Sequence, residues 1–275
     1  MTTVVGAADP QVGLLRIDGL EVATLTVGSG PALLLLNGLT RPYESWAPLV
    51  ASLPDRRIVT FDVPGIGRSP TPAVPLSMPA LARVATKVLD AAGLECADVL
   101  GYSYGGLVAQ QVAIAVPHRV RNLVLVATSC GVGGTPGPYV RSSFAPAELT
   151  RGWPAPDALA MMWQLFAVST WSSIPFLGAI TQPTLIVQGD RDRLVPPENA
   201  SMLARRIPGA RVATVSGGHD LQRADRAPLL ARVVDEFLRE AFTAEPLTAP
   251  APHQPKPGAT TAAPVRQNNR KRATP

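Results

Sequence analysis

The sequence has few cysteines and lacks a hydrophobic run long enough to cross a bilayer. Two cysteines, Cys96 and Cys130, are too few for a disulfide framework, and we expect both to be small buried side chains. Apolar runs such as Ala32–Leu36 span five residues, whereas a membrane helix needs about 18. The first residues, MTTVVGAADPQVG, lack the basic start and apolar stretch of a signal peptide. These absences argue against a disulfide scaffold and a transmembrane segment, and together they predict a cytoplasmic location.

Charged residues are also scarce, at 16% of the chain, and the excess of positive charge lies at one end. The net charge is +5, of which residues 243–275 carry +4 from five basic residues and one acidic residue. The rest of the chain is therefore close to neutral, which predicts no nucleic-acid partner. Residues 243–275 are rich in Pro, Ala and Thr, a composition that buries too little apolar surface to fold, so we expect a disordered basic tail.

What the sequence does contain is a regular alternation of short apolar strands and helices. A hairpin is predicted around Asp18-Gly19, and the predicted strands are Leu14–Ile17, Glu21–Val27, Ala32–Leu36, Arg57–Phe61, Asp98–Gly101, Leu123–Ala127, Pro183–Gln188 and Arg211–Val215. The predicted helices are Ser45–Ser52, Pro79–Ala92, Tyr104–Ala115, Glu198–Arg206 and Ala224–Glu240. This alternation predicts an α/β fold, in which helices cover both faces of a mainly parallel sheet.

The motif Gly101-Tyr102-Ser103-Tyr104-Gly105 lies where a predicted strand meets a predicted helix. This is the context of a nucleophile elbow, a strained turn that raises a serine hydroxyl above the sheet. Side chains at positions 101 and 105 would collide with the neighbouring strand or helix, so glycine is needed at both. The helix that begins after Ser103 also favours developing negative charge. We therefore predict that Ser103 is a nucleophile.

A serine hydroxyl needs a general base, and the chain offers three histidines. His253 lies in the predicted tail, and His118 lies at the far end of the helix after Ser103, about 20 Å from the serine. His219 follows the last predicted strand in a glycine-containing loop. Its position is at the carboxyl edge of the sheet, where the sites of open α/β sheets lie. His219 is therefore the predicted base.

The acidic member of such a triad should lie between the serine and the histidine in the chain. Gly189-Asp190-Arg191-Asp192 directly follows a predicted strand, so two aspartates compete for this role. Asp190 is close to the strand end and is predicted to cap the turn backbone. Asp192 lies further into the loop, and we favour it as the residue that orients the imidazole.

Two backbone amides are predicted to form an oxyanion hole. One belongs to Tyr104, and the other comes from the loop Asn37-Gly38-Leu39-Thr40, in which Leu39 is our candidate. The turn Phe61–Ser69, FDVPGIGRS, lacks a P-loop lysine and the complete dinucleotide pattern, so we interpret it as structural. No group of His, Cys and carboxylate residues has metal-ligand spacing, and the sequence predicts neither a metal nor a cofactor.

One interval interrupts the alternation of strands and helices. Between Ala127 and Pro183 no strand is predicted, and the interval contains the aromatic residues Trp153, Trp163, Phe166, Trp171 and Phe176. We predict a lid at residues 128–182, inserted after the sixth strand into a core formed by residues 1–127 and 183–242. An apolar rim of this kind predicts a pocket that favours longer acyl groups.

Most of the segment Gly13–Glu240 resembles the α/β-hydrolase superfamily, since it carries the serine, aspartate and histidine motifs in the order and spacing of that family. Within it, the segments LLNGLTRPYESW, FDVPGIGRSPTP, WQLFAVSTWSSI and QPTLIVQGDRDRLVP, followed by ARRIPGAR and SGGHD, resemble the intracellular depolymerases of medium-chain polyhydroxyalkanoates. Asn-Gly in place of the usual His-Gly agrees with that resemblance. The chain departs from this family at Tyr104, where tryptophan is usual, and in a shorter lid between Cys130 and Trp163.

The resemblance implies the α/β-hydrolase fold, a triad of Ser103, Asp192 and His219, and a polyester or oligomeric hydroxyacid ester as substrate. Together with the motifs, it predicts a serine hydrolase that forms an acyl-enzyme and associates with the surface of polymer granules. A general carboxylesterase, a lactonase or a C–C bond hydrolase would use the same triad. The alternative from another class is a non-catalytic binding protein. Synthases of the same polymers use cysteine as nucleophile, so Ser103 argues against polymerisation.

Overall fold

The computed structural model describes residues 10–137 and 157–243. Eight strands of the described chain are β1 Gln11–Ile17, β2 Leu20–Val27, β3 Ala32–Leu36, β4 Arg57–Phe61, β5 Ala97–Tyr102, β6 Val120–Val126, β7 Thr184–Gly189 and β8 Arg211–Val215. They form one sheet in the order β1-β2-β4-β3-β5-β6-β7-β8. β2 pairs antiparallel with β1 and β4, and all other neighbours are parallel. The predicted mainly parallel sheet is therefore confirmed.

Helices cover both faces of this sheet. The α-helices are α1 Ala47–Ala51, α2 Met78–Ala91, α3 Tyr104–Ala115, α4 Ala158–Ser169, α5 Glu198–Ala204 and α6 Ala227–Thr243, and the 3₁₀ helices are Tyr43–Trp46, Pro117–Arg119 and Ile174–Ala179. Apolar side chains of α2, α3, α4 and α5 pack in one core cluster, and those of α1 and α6 pack in the other. The central strands have continuous apolar sequences because helices cover both of their faces.

Turn residues and helix-capping residues explain several element boundaries. The β1–β2 turn has left-handed backbone at both central residues, with φ of 49° at Asp18 and 83° at Gly19, which suits the twist of a two-residue hairpin. Helix α2 begins after Ser77, whose Oγ accepts a hydrogen bond from the Ala80 amide, and it ends before Gly93, whose φ is 68°. These local signals account for the agreement with the sequence-based boundaries.

Several local expectations differ from the structure, and β1, for example, begins at Gln11 rather than Leu14. β6 begins at Val120 rather than Leu123, because Asn122 is polar in sequence but buried, with its amide donating to Asp98 Oδ1. Helix α6 begins at Ala227 rather than Ala224, since the preceding residues form a turn closed onto the Arg223 carbonyl. Cys130 is buried as expected, whereas Cys96 is only partly buried.

The predicted domain division is described only in part. Of the predicted lid, residues 128–137 and 157–182 are described, while Trp153 and its neighbours lie outside the described residues. Residues 244–275 of the predicted basic tail also lie outside them, and Thr243 is the last residue of α6. The lid and the tail therefore stay predictions. No helix in the described part of the chain is both long and apolar enough to span a membrane.

Candidate active site

Ser103 lies on the strained turn between β5 and α3. Its φ of 51° and ψ of −115° are unusual for a residue with a side chain, and such strain concentrates at functional sites. The neighbouring strand β6 holds this turn, because the Ser103 amide donates to the Val126 carbonyl at 2.8 Å. The Ser103 carbonyl accepts from the Thr128 hydroxyl at 2.7 Å and from the Gly106 amide at 2.9 Å. The side chain of Ser103 thus projects from a rigid corner at the carboxyl end of the sheet.

The two glycines of the motif are required by close packing, as the sequence predicted. A Cβ at Gly101 would lie 2.4 Å from the Gly105 carbonyl oxygen. A Cβ at Gly105 would lie 2.0 Å from the Leu36 carbonyl oxygen, at the end of β3. Contacts this short do not occur for real Cβ atoms. The start of α3 can therefore approach the neighbouring strands only when both positions lack a side chain.

His219 contacts both Ser103 and Asp192. Its Nε2 lies 2.9 Å from Ser103 Oγ, and its Nδ1 lies 2.8 Å from Asp192 Oδ2. The Asp192 carboxylate is buried, and its Oδ1 accepts from the amides of Leu194 and Val195 at 2.9 and 2.8 Å. These bonds hold the carboxylate in one orientation. The three side chains that the sequence singled out therefore form one continuous relay.

Asp190 and His118 lie outside this relay. Asp190 accepts a hydrogen bond from the backbone, but from the amide of Gly217 at 2.8 Å, in the loop of His219 rather than in its own turn. The Arg191 amide donates to the Gly217 carbonyl at 2.9 Å, so the two loops are bonded edge to edge. His118 lies exposed in the 3₁₀ helix that follows α3. Among the competing residues, Asp192 is thus the aspartate that contacts His219, and His219 is the described histidine that contacts Ser103.

The loop after β3 lies next to Ser103. The buried Asn37 side chain holds it, with Nδ2 donating to the Pro42 carbonyl and to Ser45 Oγ, at 2.6 and 2.8 Å. A Cβ added at Gly38 would lie 3.6 Å from Ser103 Cβ, so this part of the loop passes beside the serine. Leu39 follows directly. Tyr104 is the first residue of α3, where amides have no acceptor within the helix.

Helix α4, which lies within the predicted lid, is attached to this loop. Gln164 is buried, and its Oε1 accepts from the amide of Thr40 at 3.0 Å. Thr40 has a φ of 62°, so this bond supports a backbone conformation that is costly for a residue with a side chain. The indole of Trp163 donates to the Pro72 carbonyl and that of Trp171 to Gln111 Oε1, at 3.0 and 2.7 Å. Two predicted rim tryptophans therefore bond to residues outside the predicted lid.

Asp62, in the turn FDVPGIGRS, organises backbone as the sequence interpretation expects. Its carboxylate is fully buried and accepts from the amides of Tyr43 and Arg68 at 2.6 and 2.8 Å. Burial raises the pKa of Asp62 to about 6. A Cβ at Gly67 would lie 2.2 Å from this carboxylate, which explains the glycine.

Other polar residues around the site were missed from the sequence. Tyr102, Asp220 and Arg41 form a hydrogen-bonded group behind His219, and Gln164 supports the loop of Leu39. Tyr102 and Asp220 directly adjoin Ser103 and His219 in the chain, and this adjacency was the available signal. Within residues 10–137 and 157–243, no three His, Cys, Asp or Glu side chains are grouped so that they could hold a metal ion.

Comparison with known proteins places this chain in a family. A family model described as alpha/beta hydrolase fold matches residues 31–151 and 150–223. A poly(3-hydroxyalkanoate) depolymerase of Ectopseudomonas oleovorans is 36% identical over 268 residues, which cover 84% of this chain and 94% of that protein. A pimeloyl-[acyl-carrier protein] methyl ester esterase of Xanthomonas oryzae is 31% identical over 232 residues, covering 70% and 88% of the two chains.

Solved structures agree with the fold. A hydrolase from Pseudomonas aeruginosa superposes with a TM-score of 0.72 at 25% identity, covering 82% of this chain and 98% of that one. The enol-lactonase of Burkholderia xenovorans superposes with a TM-score of 0.73 at 23% identity, covering 82% and 100%. These matches confirm both the fold and the resemblance predicted from the sequence. The chain belongs to the alpha/beta hydrolase fold family and is similar over most of its length to a poly(3-hydroxyalkanoate) depolymerase.

Proposed function

We propose that this chain is a serine hydrolase that cleaves carboxylic esters through an acyl-enzyme, with Ser103, His219 and Asp192 as its triad. The observation that carries the proposal is the relay of two hydrogen bonds, 2.9 Å from His219 to Ser103 and 2.8 Å from His219 to Asp192. An ionised carboxylate only accepts hydrogen bonds, so it favours the tautomer with the proton on Nδ1. Nε2 is then the basic nitrogen that faces the serine hydroxyl.

In the first half of the reaction, Ser103 Oγ attacks the ester carbonyl carbon while His219 Nε2 accepts the hydroxyl proton. The carbonyl oxygen becomes an oxyanion, for which we propose the amides of Leu39 and Tyr104 as donors. His219 then gives its proton to the leaving alcohol, and the acyl group stays on Ser103.

In the second half, His219 takes a proton from water, and the resulting hydroxide attacks the acyl carbonyl. The acid leaves and Ser103 regains its proton from His219. Asp192 stabilises the imidazolium in both halves and does not itself take the proton. The reaction needs neither a metal nor a cofactor.

For the substrate, we propose medium-chain polyhydroxyalkanoate or its oligomers. The similarity to a poly(3-hydroxyalkanoate) depolymerase supports this choice. Helix α4 contacts the loop of Leu39 through Gln164, and its opposite face exposes the apolar side chains of Leu159, Met162 and Phe166, which suits contact with an apolar polymer. Each methylene buried against such a surface contributes about 0.8 kcal/mol. A cytoplasmic location and association with a polymer surface belong to the same proposal.

A fluorophosphonate probe tests the nucleophile. We expect labelling of the wild-type chain at Ser103 and none in Ser103→Ala. His219→Ala should abolish ester turnover, while the matched control His118→Ala, at an exposed site, should turn over the ester like the wild type. Equal losses in both folded histidine variants would contradict the assignment of the base. A wild-type chain that is not labelled would support a non-catalytic binding protein.

A panel of p-nitrophenyl esters, measured beside an emulsified medium-chain polyester, tests the substrate. We expect kcat/KM to rise from acetyl to octanoyl and hydroxyacids to be released from the polymer. The second candidate is an esterase of small soluble esters, which the 31% identity to a methyl ester esterase favours. A steady fall of kcat/KM from acetyl upward, without polymer cleavage, would refute the polyester and support this candidate.

A further inference from the structure

A polar group that is not part of the triad contacts the backbone of His219. The Tyr102 hydroxyl shares its single proton between the His219 carbonyl oxygen, at 3.1 Å, and Asp220 Oδ1, at 3.2 Å. The same Oδ1 accepts from Arg41 Nη2 at 2.9 Å. We call Tyr102, Asp220 and Arg41 the histidine clamp.

The environment of the clamp protects these bonds from water. Tyr102 is 2% exposed, and the side chains of Arg41 and Asp220 are 8% and 29% exposed. Burial, followed by the nearby Asp220 carboxylate, raises the pKa of Tyr102 well above its ordinary value, so the hydroxyl keeps its proton and remains a donor. The two Tyr102 bonds, at 3.1 and 3.2 Å, are long for O–H···O bonds because one proton serves two acceptors, but water competes little for a buried donor.

The clamp also connects three segments of the site. Tyr102 directly precedes Ser103, Asp220 directly follows His219, and Arg41 lies two residues after Leu39. The centroids of the Tyr102 and His219 rings lie 5.3 Å apart. Gly38 packs so closely on the Tyr102 ring that a Cβ added at Gly38 would lie 2.8 Å from Cδ1 and Cε1 of Tyr102. Tyr102 therefore belongs to the strand that precedes the serine, and its side chain contacts both the histidine and the loop beside the serine.

The backbone before His219 cannot supply this constraint alone. Gly217 and Gly218 precede the histidine, and glycine has more conformational freedom to lose than any other residue. Asp190 holds Gly217 on one side, as described above. The clamp holds the other side, at the carbonyl of His219 itself and at the next side chain.

We propose that Tyr102, Asp220 and Arg41 are positioning residues that hold His219 in the geometry for proton transfer from Ser103. The inference rests on the proposed function, because it concerns the base of that reaction. The clamp contacts the backbone of His219 and not the reacting atoms, so it acts through the histidine. Proton transfer requires a donor–acceptor distance of about 2.6–3.2 Å, and a misplacement of about 1 Å can cost about 10² in rate.

Tyr102→Phe tests the proposal, because it removes the hydroxyl and keeps the ring that packs on His219 and Gly38. We expect kcat for a soluble p-nitrophenyl ester to fall by about 10-fold or more, with KM unchanged. The rate constant for fluorophosphonate labelling of Ser103 should fall equally, while the final extent of labelling stays complete. A merely structural role would lower the final extent and leave the rate per active site unchanged.

Two further variants test the acceptor. Asp220→Asn keeps an oxygen for the Tyr102 proton and should lose less activity than Asp220→Ala. The losses in Tyr102→Phe and Asp220→Ala should be strongly non-additive in the double variant, since the two groups share one interaction. Asp225→Asn is the matched control, because Asp225 is an exposed aspartate six residues after His219 in the same segment.

The outcomes separate this proposal from the proposed function. If wild-type Ser103 is not labelled, the proposed function fails and the clamp fails with it. If the wild type is labelled and Tyr102→Phe reacts at the wild-type rate, the clamp alone is refuted. A loss in Tyr102→Phe that appears only as incomplete labelling would also overturn the clamp and leave the triad intact.

Discussion

A single methyl group added at Gly105 should separate the two proposed oxyanion donors. Gly105 is the second residue of α3, and a Cβ there would lie 2.0 Å from the Leu36 oxygen and 2.6 Å from the Asn37 oxygen. Real Cβ atoms keep at least 3.0 Å from such neighbours, so Gly105→Ala must move α3 and the end of β3 apart by about 1 Å. Tyr104 directly precedes Gly105, and Leu39 lies two residues after Asn37.

The size of the effect follows from this displacement. One oxyanion donor is worth about 10² to 10³ in kcat, and a shift of about 1 Å can cost about 10². We therefore expect kcat of Gly105→Ala to fall by about 10². Overpacking costs about 1–3 kcal/mol of stability, and alanine gains about 1 kcal/mol over glycine in a helix. Because the added Cβ collides with backbone oxygens rather than with a flexible side chain, the variant should show a clear loss of thermal stability.

The assay is kcat and KM for a p-nitrophenyl ester, together with the thermal midpoint of unfolding. Gly178→Ala is the matched control, because its Cβ would meet a single neighbour, the Arg206 oxygen, at 3.9 Å. We expect the control to behave like the wild type in both measurements. Wild-type kcat in Gly105→Ala would refute the reasoning, since the collision at the elbow would then have been relieved without moving either donor.

Three further predictions follow from the same structure. Asp192→Asn should lower kcat by about 10³–10⁴ through the wrong imidazole tautomer, whereas Asp190→Asn, which keeps an oxygen for the backbone, should cost much less; the reverse order would exchange their roles. Burial raises the pKa of Asp62 from 3.8 to about 6, so the folded chain binds the extra proton. The wild type should therefore lose free energy of unfolding relative to Asp62→Asn as the pH rises from 3.8 to about 6, as measured by denaturant titrations. A gain over this pH range would contradict the raised pKa. Deletion of the residues after Phe242 should leave the kinetics on a small soluble ester unchanged, because no proposed site residue lies there, and a large change in kcat would overturn this.

Local sequence determined most of the regular structure. The bounds of β3, β4, β8 and α3 agree with those predicted, because each element is a short run with a clear period or a glycine at its boundary. The close packing predicted for Gly101 and Gly105 is confirmed, since an added Cβ would collide at both positions. The element bounds and the contact of Gly101 with Gly105 depend on neighbours within a few residues, which is the range over which a sequence pattern can be interpreted. The contact of Gly105 with Leu36 joins two distant segments, and it was predicted from the motif alone.

The sequence also selected Ser103, Asp192 and His219, from the order of the motifs along the chain and from the carboxyl edge of the sheet. Their roles stay predictions, as do those of Leu39 and Tyr104, until the variants are measured. Choosing His219 over His118 needed only the general rule that loops after parallel strands meet at one edge. The distances within the relay required the structure.

Only the tertiary structure decided how the site is supported. Asp190 bonds to Gly217 rather than to its own turn, and Gln164 of α4 bonds to Thr40, 124 residues away in the chain. Tyr102 meets Asp220 across 118 residues, and neither residue has a pattern that predicts the pairing. Such contacts follow from the order of the strands and the angles of the loops. The physical reason is that a hydrogen bond is specific over about 3 Å, whereas sequence periodicity constrains only which face a residue occupies.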